Sequence, residues 1–201
     1  MTGLIRLSRT IDALNQRVGS ATLWLVLLTT VISAVNAVVR KAFSVGSNAY
    51  LEVQWYLFAA VFLLGAGYTL LRNEHVRIDA VAGHFSRRTQ VWIDIVGIVV
   101  FLVPLCVWIV WMSTPLAWAA WITGEMSTNA GGLPRWPAYA LIPLGFVLLG
   151  LQALSELVKR IAFLRGLAPD PDIAARERPA EEVLLEELRR EQAARTNGAA
   201  E

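Results

Sequence analysis

The longest uncharged stretch of the chain runs from Ile95 to Gly124 and reads IVGIVVFLVPLCVWIVWMSTPLAWAAWITG. About 20 apolar residues in a helix cross a hydrocarbon core of about 30 Å, so this stretch is long enough to span a bilayer. Three further stretches, residues 18–39, 53–71 and 136–155, contain no Asp, Glu, Lys or Arg and are also of spanning length within a residue or two. The sequence therefore predicts an all-α integral membrane protein with four transmembrane helices.

Composition supports this fold class. Apolar residues make up 56% of the 201 residues and charged residues only 17%, which would leave a soluble chain of this length short of polar surface. The formal net charge is +2, and the basic residues are dispersed around the ends of the predicted spans. Because they form no continuous basic stripe, the sequence does not support nucleic-acid binding.

The predicted membrane domain covers residues 18–160, and its four spans lie at about 18–39, 50–71, 91–112 and 136–157. The third apolar stretch is longer than one crossing requires, so we expect it to continue along the outer interface after Met112. Pro104 should kink this helix, because proline removes one helical hydrogen bond.

The two ends of the chain differ from the spans. Residues 1–17 form a predicted amphipathic helix. Its apolar stripe consists of Leu4, Leu7, Ile11, Leu14 and Val18, and Arg6, Arg9, Asp12, Gln16 and Arg17 occupy other faces. Such a helix suits the cytoplasmic membrane interface, and a plain extension of the first span is the alternative. Residues 161–201 are predicted to be a cytoplasmic linker and a partly disordered charged tail, in which residues 181–195 can form a helix with thin apolar content.

The positions of the basic residues predict the topology. With the N-terminus in the cytoplasm, ten Lys and Arg residues lie in inside segments and three in outside loops, as the positive-inside rule expects. Both termini are therefore predicted to be cytoplasmic. The inside residues are Arg6, Arg9, Arg17, Arg72, Arg77, Arg87, Arg88, Lys159, Arg160 and Arg165, and the outside residues are Arg40, Lys41 and Arg135.

Two features of the second span are candidates for structural or subunit contacts. Glu52 follows the turn-like residues 46–48, so it lies near the start of the helix, where the helix dipole favours a carboxylate. Its predicted partner is Arg40 or Lys41. The small residues Gly65, Ala66 and Gly67 allow close approach of another helix, either within the bundle or in a partner subunit.

The sequence offers little that could support catalysis. His75 and His84 are the only histidines, and with scattered carboxylates they give no convincing metal set and no pair of haem ligands between the spans. No nucleotide-binding loop or nucleophile-base pair is evident, and neither is a buried charge pair of the sort that a complete transporter would carry. We therefore predict no catalytic, metal-binding or cofactor-binding residue.

Three motifs together resemble a known family. They are EVQWYLF at residues 52–58, LGAGYT at residues 64–69 leading to EHVRID at residues 74–79, and LPRWPAY at residues 133–139 followed by IPLGF at residues 142–146. In their order and spacing these segments resemble the small membrane subunit of tripartite ATP-independent periplasmic (TRAP) transporters, the DctQ type. The resemblance covers most of the predicted membrane region but neither the amphipathic start nor the charged tail.

The resemblance implies a small permease subunit in a bacterial inner membrane, without catalytic chemistry. It would form a heterodimer with a large TRAP membrane subunit that holds the substrate and sodium sites, while a periplasmic solute-binding protein delivers an organic anion. The small subunit would scaffold the large one. The candidate structural or subunit-contact residues are Glu52, Trp55, Gly65, Gly67, His75, Arg77, Asp79, Pro143 and Gly145.

Two other functions stay open at this point. The chain could anchor a membrane enzyme or redox complex, with Glu74, His75, Arg77 and Asp79 as a cytoplasmic centre, and bound haem, quinone or metal would then favour that function. It could also be a small stand-alone channel, which would conduct without any partner.

Overall fold

The computed structural model describes residues 2–43, 46–73 and 85–170. Four helical segments in these ranges are long and apolar enough to cross a membrane, which confirms the predicted all-α membrane fold. We number the helices α1 (Thr2–Phe43), α2 (Asn48–Arg72), α3 (Arg87–Gly97), α4 (Val103–Thr123) and α5 (Trp136–Leu164).

Helix α1 runs without a break through the predicted boundary at residue 17. Its 42 residues correspond to about 63 Å at 1.5 Å per residue, roughly twice the thickness of a hydrocarbon core. In the structure, the predicted amphipathic segment is therefore continuous with the helix of the first span and does not form a separate helix. The interfacial position of this segment stays a prediction.

Helices α3 and α4 are joined by a π-helical turn at Ile98–Leu102, so that residues 87–123 form one continuous helical segment. In this turn the N–H of Val103 donates to the carbonyl of Ile98, five residues earlier. Such π turns are among the features that bend helices, and this one directly precedes Pro104, which has no N–H to donate. Helix α4 continues past Met112 to Thr123, and the course of its last residues along the outer interface stays a prediction.

Helix α5 is the central element of the bundle, because it packs against α1, α2 and α4 and also contacts α3. Few large apolar side chains are buried among the described residues, and several buried positions are alanines. Most large apolar side chains point outward, as expected where lipid or another subunit covers the helices. Packing through small residues brings the helix backbones close together.

The bundle has two ends that carry polar clusters. We call the end with residues 124–135, between α4 and α5, the loop end. We call the opposite end the tail end, where α1 begins and α5 finishes, and there Arg87 at the start of α3 also forms a two-armed ion pair with Asp170, at 2.5 Å for each arm.

Candidate functional site

Glu52 is the centre of the loop end. Its side chain lies on the second turn of α2 and is 4% exposed. One carboxylate oxygen accepts hydrogen bonds from the hydroxyl of Ser127 and from Nδ2 of Asn129, the latter at 2.8 Å. The other accepts from the backbone N–H of Leu133 at 2.6 Å. Charge-assisted bonds of this kind are stronger than neutral ones, so Glu52 holds the loop against the helix.

Residues 124–135 fold into a tight loop around this carboxylate. A single antiparallel bridge joins Met126 to Pro134, and the N–H of Ser127 donates to the carbonyl of Leu133 at 2.9 Å. Gly132 has no room for a side chain, because a Cβ there would lie 2.9 Å from an oxygen of Glu52. The loop is thus shaped to fit the carboxylate.

Two more side chains of α2 bind the same loop. Nδ2 of Asn48 donates to the carbonyl of Ala130 at 3.0 Å, and the hydroxyl of Tyr56 donates to the carbonyl of Pro134 at 3.1 Å. Asn48, Glu52 and Tyr56 are spaced by four residues and therefore lie on one face of the helix. The four-residue spacing can be seen in the sequence, but the sequence does not show that these three side chains bond to residues 124–135.

The structure changes the predicted environment of Glu52. Its hydrogen-bond partners come from the loop, and the predicted partners Arg40 and Lys41 are not among them. Ser47 precedes α2 but makes no capping bond with its side chain. Arg135, the last residue of the loop, bonds through its guanidinium to Glu125 at 2.9 Å, and this bond raises the pKa of Arg135.

The tail end contains a buried polar network between α1 and α5. The hydroxyl of Ser155 lies 2.7 Å from the hydroxyl of Ser8 and donates to Asp12 at 2.7 Å. Nε2 of Gln152 donates to the same Asp12 oxygen at 2.9 Å, and Nδ2 of Asn15 donates to Oε1 of Gln152 at 3.0 Å. The side of α1 that faces the bundle is therefore polar.

Charged residues continue this network along α5. Nη1 of Arg160 bonds to Glu156 at 2.5 Å, and its Nε bonds to Asp94 of α3 at 3.2 Å. The side chains of Glu156 and Arg160 are 7% and 5% exposed. Lys159 bonds to Glu156 and lies 3.3 Å from an Asp12 oxygen. A buried charge pair is therefore present within the bundle, and it was not identified from the sequence.

The sequence contained a signal for this network that apolar-stretch counting overlooks. Ser8, Asp12 and Asn15 recur at steps of four and three, and so do Gln152, Glu156 and Lys159. A polar stripe at helical spacing on two apolar helices indicates that the two stripes face each other, because unpaired polar groups are costly in lipid. Tertiary contact was needed to match them.

The glycines among the candidate structural or subunit-contact residues differ in how closely other residues approach them. A Cβ on Gly145 would lie 2.6 Å from the carbonyl oxygen of Leu63, and one on Gly67 would collide with the side chain of Asn15. Both contacts lie within the bundle. A Cβ on Gly65 would meet only Thr22, at 4.0 Å.

The remaining predicted residues are scattered. Trp55 lies on α2 with 70% of its surface exposed, and Pro143 lies inside α5, two residues before Gly145. His75, Arg77 and Asp79 lie outside the described residues. The structure brings none of the described predicted residues together into a single site. Within residues 2–43, 46–73 and 85–170, no group of three or more His, Cys, Asp or Glu residues could hold a metal ion.

Comparison with models of protein families shows which family the chain belongs to. Residues 10–163 match the model of the DctQ component of tripartite ATP-independent periplasmic transporters. The chain belongs to the DctQ family. The match begins within α1 and ends one residue before the end of α5, so it includes the loop end and the tail-end network except Ser8. Neither curated proteins nor solved structures give a match.

Membership of the DctQ family makes this chain the small permease subunit of a TRAP transporter, which confirms the resemblance seen in the sequence. The family is a transporter component and not an enzyme family. A TRAP transporter also has a large membrane component and a periplasmic binding component, and these are the partners in general terms. The family and the four spanning helices make the chain a multi-pass membrane protein.

Proposed function

We propose that this chain is the scaffold of its transporter, which binds the large membrane subunit in a heterodimer and keeps part of it fixed while that subunit moves substrate. The observation that carries the proposal is the match of residues 10–163 to the DctQ component. On this proposal the large subunit contains the sodium and substrate sites. A periplasmic solute-binding protein delivers an organic anion, such as a carboxylate.

The polar clusters support a scaffold role. The tail-end network links α1, α3 and α5, and Glu52 fixes the loop end to α2, so both ends of the bundle are cross-linked by side chains. These groups bond to one another inside the bundle, and their partners are other residues of this chain. A carrier site would instead direct polar groups toward a cavity for substrate.

Reconstitution tests the proposal. The chain alone in liposomes should take up no organic anion, and uptake should require the large subunit, the binding protein and an inward sodium gradient. Omitting the small subunit should abolish uptake, while ligand binding by the soluble protein persists. Uptake by this chain alone, or full uptake without it, would contradict the scaffold function.

A contact variant separates binding of the partner from folding of the bundle. Trp55 is largely exposed, so Trp55→Ala should leave the thermal stability of the isolated chain unchanged. If Trp55 contacts the large subunit, the same change should reduce co-purification of the two chains. Unchanged co-purification would remove Trp55 from the interface.

Orientation belongs to the same proposal: the loop end faces the periplasm, and both termini face the cytoplasm of a bacterial inner membrane. A cysteine at Met126, which is 54% exposed, should react with an impermeant maleimide added to spheroplasts. Met126 suits this test better than Ser127, because Ser127 donates to Glu52. A cysteine at the exposed Thr10 should react only after the membrane is opened. The reverse pattern would overturn the orientation.

A further inference from the structure

The first half of α1 has an exposed face that the bundle does not use. Leu4, Leu7 and Leu14 are 51%, 57% and 43% exposed. They lie on one side of the helix, because their spacings of three and seven residues follow the helical repeat. Arg6 and Arg9 are also exposed beside them. We call these five residues the leucine and arginine face.

The position of this face along the bundle argues against cover by lipid tails. Ser8 is level with Ser155, and Ser155 lies 19 residues after Trp136. At 1.5 Å per residue this is about 28 Å, close to the full thickness of a hydrocarbon core. Leu4 and Leu7 therefore lie at or beyond the end of a core that begins at Trp136. Burial of a leucine side chain is worth about 1.5–3 kcal/mol, so another cover for these residues is favoured.

The chain itself contains a segment of matching chemistry. Residues 181–191 lie outside the described residues and read EEVLLEELRRE. If the segment is helical, as the sequence predicts, Leu184, Leu185 and Leu188 share one side of it. Its first eight residues include four glutamates and no basic residue, so its charge is opposite to that of Arg6 and Arg9.

The linker is long enough to bring the two together. Asp170 is held at the tail end by Arg87, and the tail end is also where α1 begins. Fourteen residues separate Asp170 from Leu184, and an extended chain of that length reaches about 46 Å.

We propose that the acidic, leucine-bearing segment 181–191 docks on the leucine and arginine face of α1. The leucines of the two segments pack together, and glutamates of the tail pair with Arg6 and Arg9. The tail then caps the tail end of the bundle and shields apolar side chains that would otherwise meet water. This contact is independent of the scaffold function, because it forms within one chain.

Cross-linking of the full chain in lipid nanodiscs tests this docking. Leu7→Cys combined with Leu188→Cys should give a tail-to-α1 cross-link with a short bismaleimide, identified by mass spectrometry of the peptides. Arg190→Cys is the matched control, because residue 190 lies on the side of the predicted tail helix away from Leu188. Its cross-link to Leu7→Cys should be several-fold weaker. The native Cys106 is buried, and single-cysteine variants control for its reaction.

Charge reversal makes the test specific. Arg6→Glu with Arg9→Glu should lower the cross-link yield several-fold, and adding Glu181→Arg with Glu187→Arg should restore it. These residues are exposed or lie in the tail, so the bundle should still fold. Equal yields from all variants would overturn the pairing.

If a second copy of the chain or a lipid surface covers the leucine and arginine face instead, the experiments give different results. A mixture of isotopically labelled and unlabelled chains distinguishes a cross-link within one chain from one between two copies, and a cross-link only between copies would overturn the proposal. A lipid surface would also overturn it. In that case maleimide labelling of Leu7→Cys would be unchanged by deletion of residues 181–201 but suppressed by anionic phosphatidylglycerol.

Discussion

The two ends of the bundle are fastened by different chemistry. At the tail end, cations and carboxylates pair with one another: Glu156 lies between Lys159 and Arg160, and Arg160 also reaches Asp94. At the loop end, the groups that donate hydrogen bonds to Glu52 are neutral. They are a hydroxyl, a side-chain amide and a backbone N–H. The first arrangement balances charge within α5 and between α5 and its neighbours α1 and α3. The second shapes a loop around one charge.

This difference predicts which end is more sensitive to change. Loss of one member of a buried ion pair leaves its partner buried without a counter-charge, which is usually the costlier event. Loss of the charge at Glu52 leaves neutral donors, and these can turn to water or to other acceptors in the loop. We therefore expect substitutions at the tail end to affect the whole bundle and those at the loop end to act locally.

The largest effect is expected from Glu156→Gln. It removes the carboxylate that pairs with Lys159 and Arg160, both of which bond to it at the tail end. The free energy of unfolding should fall by about 3 kcal/mol, the lower end of the range for a broken buried pair, because Arg160 keeps Asp94 and Lys159 keeps Asp12 as counter-charges. Thermal or denaturant unfolding of the purified chain in detergent measures this change. A loss of less than about 1 kcal/mol would place the pair in an effectively aqueous environment.

A smaller loss of stability, which still affects the whole bundle, is expected from Gly145→Ala. Gly145→Ala would place a Cβ 2.6 Å from the carbonyl oxygen of Leu63, so α5 and α2 must separate. Overpacking of this kind costs about 1–3 kcal/mol of stability. Gly65→Ala is the matched control, because a Cβ there meets nothing closer than 4.0 Å and should leave stability nearly unchanged. Equal losses from the two variants would refute the close contact at Gly145.

Glu52→Gln should act on the loop more than on the bundle. The amide group has only one acceptor oxygen, so either the Leu133 N–H or the Ser127 and Asn129 side chains lose their acceptor. We expect a local loss of protection, measured as several-fold faster hydrogen exchange at the amide of Leu133. Hydrogen exchange near Ser155 should not change.

Glu52→Gln should also weaken uptake by the assembled transporter, while the substrate preference of the transporter stays the same.

The smallest effect is expected from Glu125→Gln, which removes an ion pair at the loop end with side chains 39% and 34% exposed. Exposed pairs contribute about 0–1 kcal/mol, so unfolding should be nearly that of the parent chain. This variant is also the control for Glu156→Gln, since it makes the same chemical change at an exposed site. Similar losses from the two would remove the distinction between the ends.

The sequence predicted the features that depend on local composition. Uncharged stretches set the number of spans, because a charge in lipid is costly whatever the fold. Motif order pointed to the DctQ type, and the family match confirmed it. The close approach at Gly67 was also expected, although the sequence could not say whether its neighbour was this chain or another subunit.

Only the tertiary structure decided which polar groups meet. Asp12 and Ser155 are 143 residues apart in sequence, and Glu52 and Leu133 are 81 apart, so no local pattern specifies either contact. Helical spacing places a polar residue on a face, but the packing of the helices determines what that face touches. The sequence by itself determined that this chain crosses the membrane four times. The tertiary structure decided that Asp12 joins α1 to α5 and that Glu52 joins α2 to the loop, because each of these contacts needs two distant segments to come within about 3 Å.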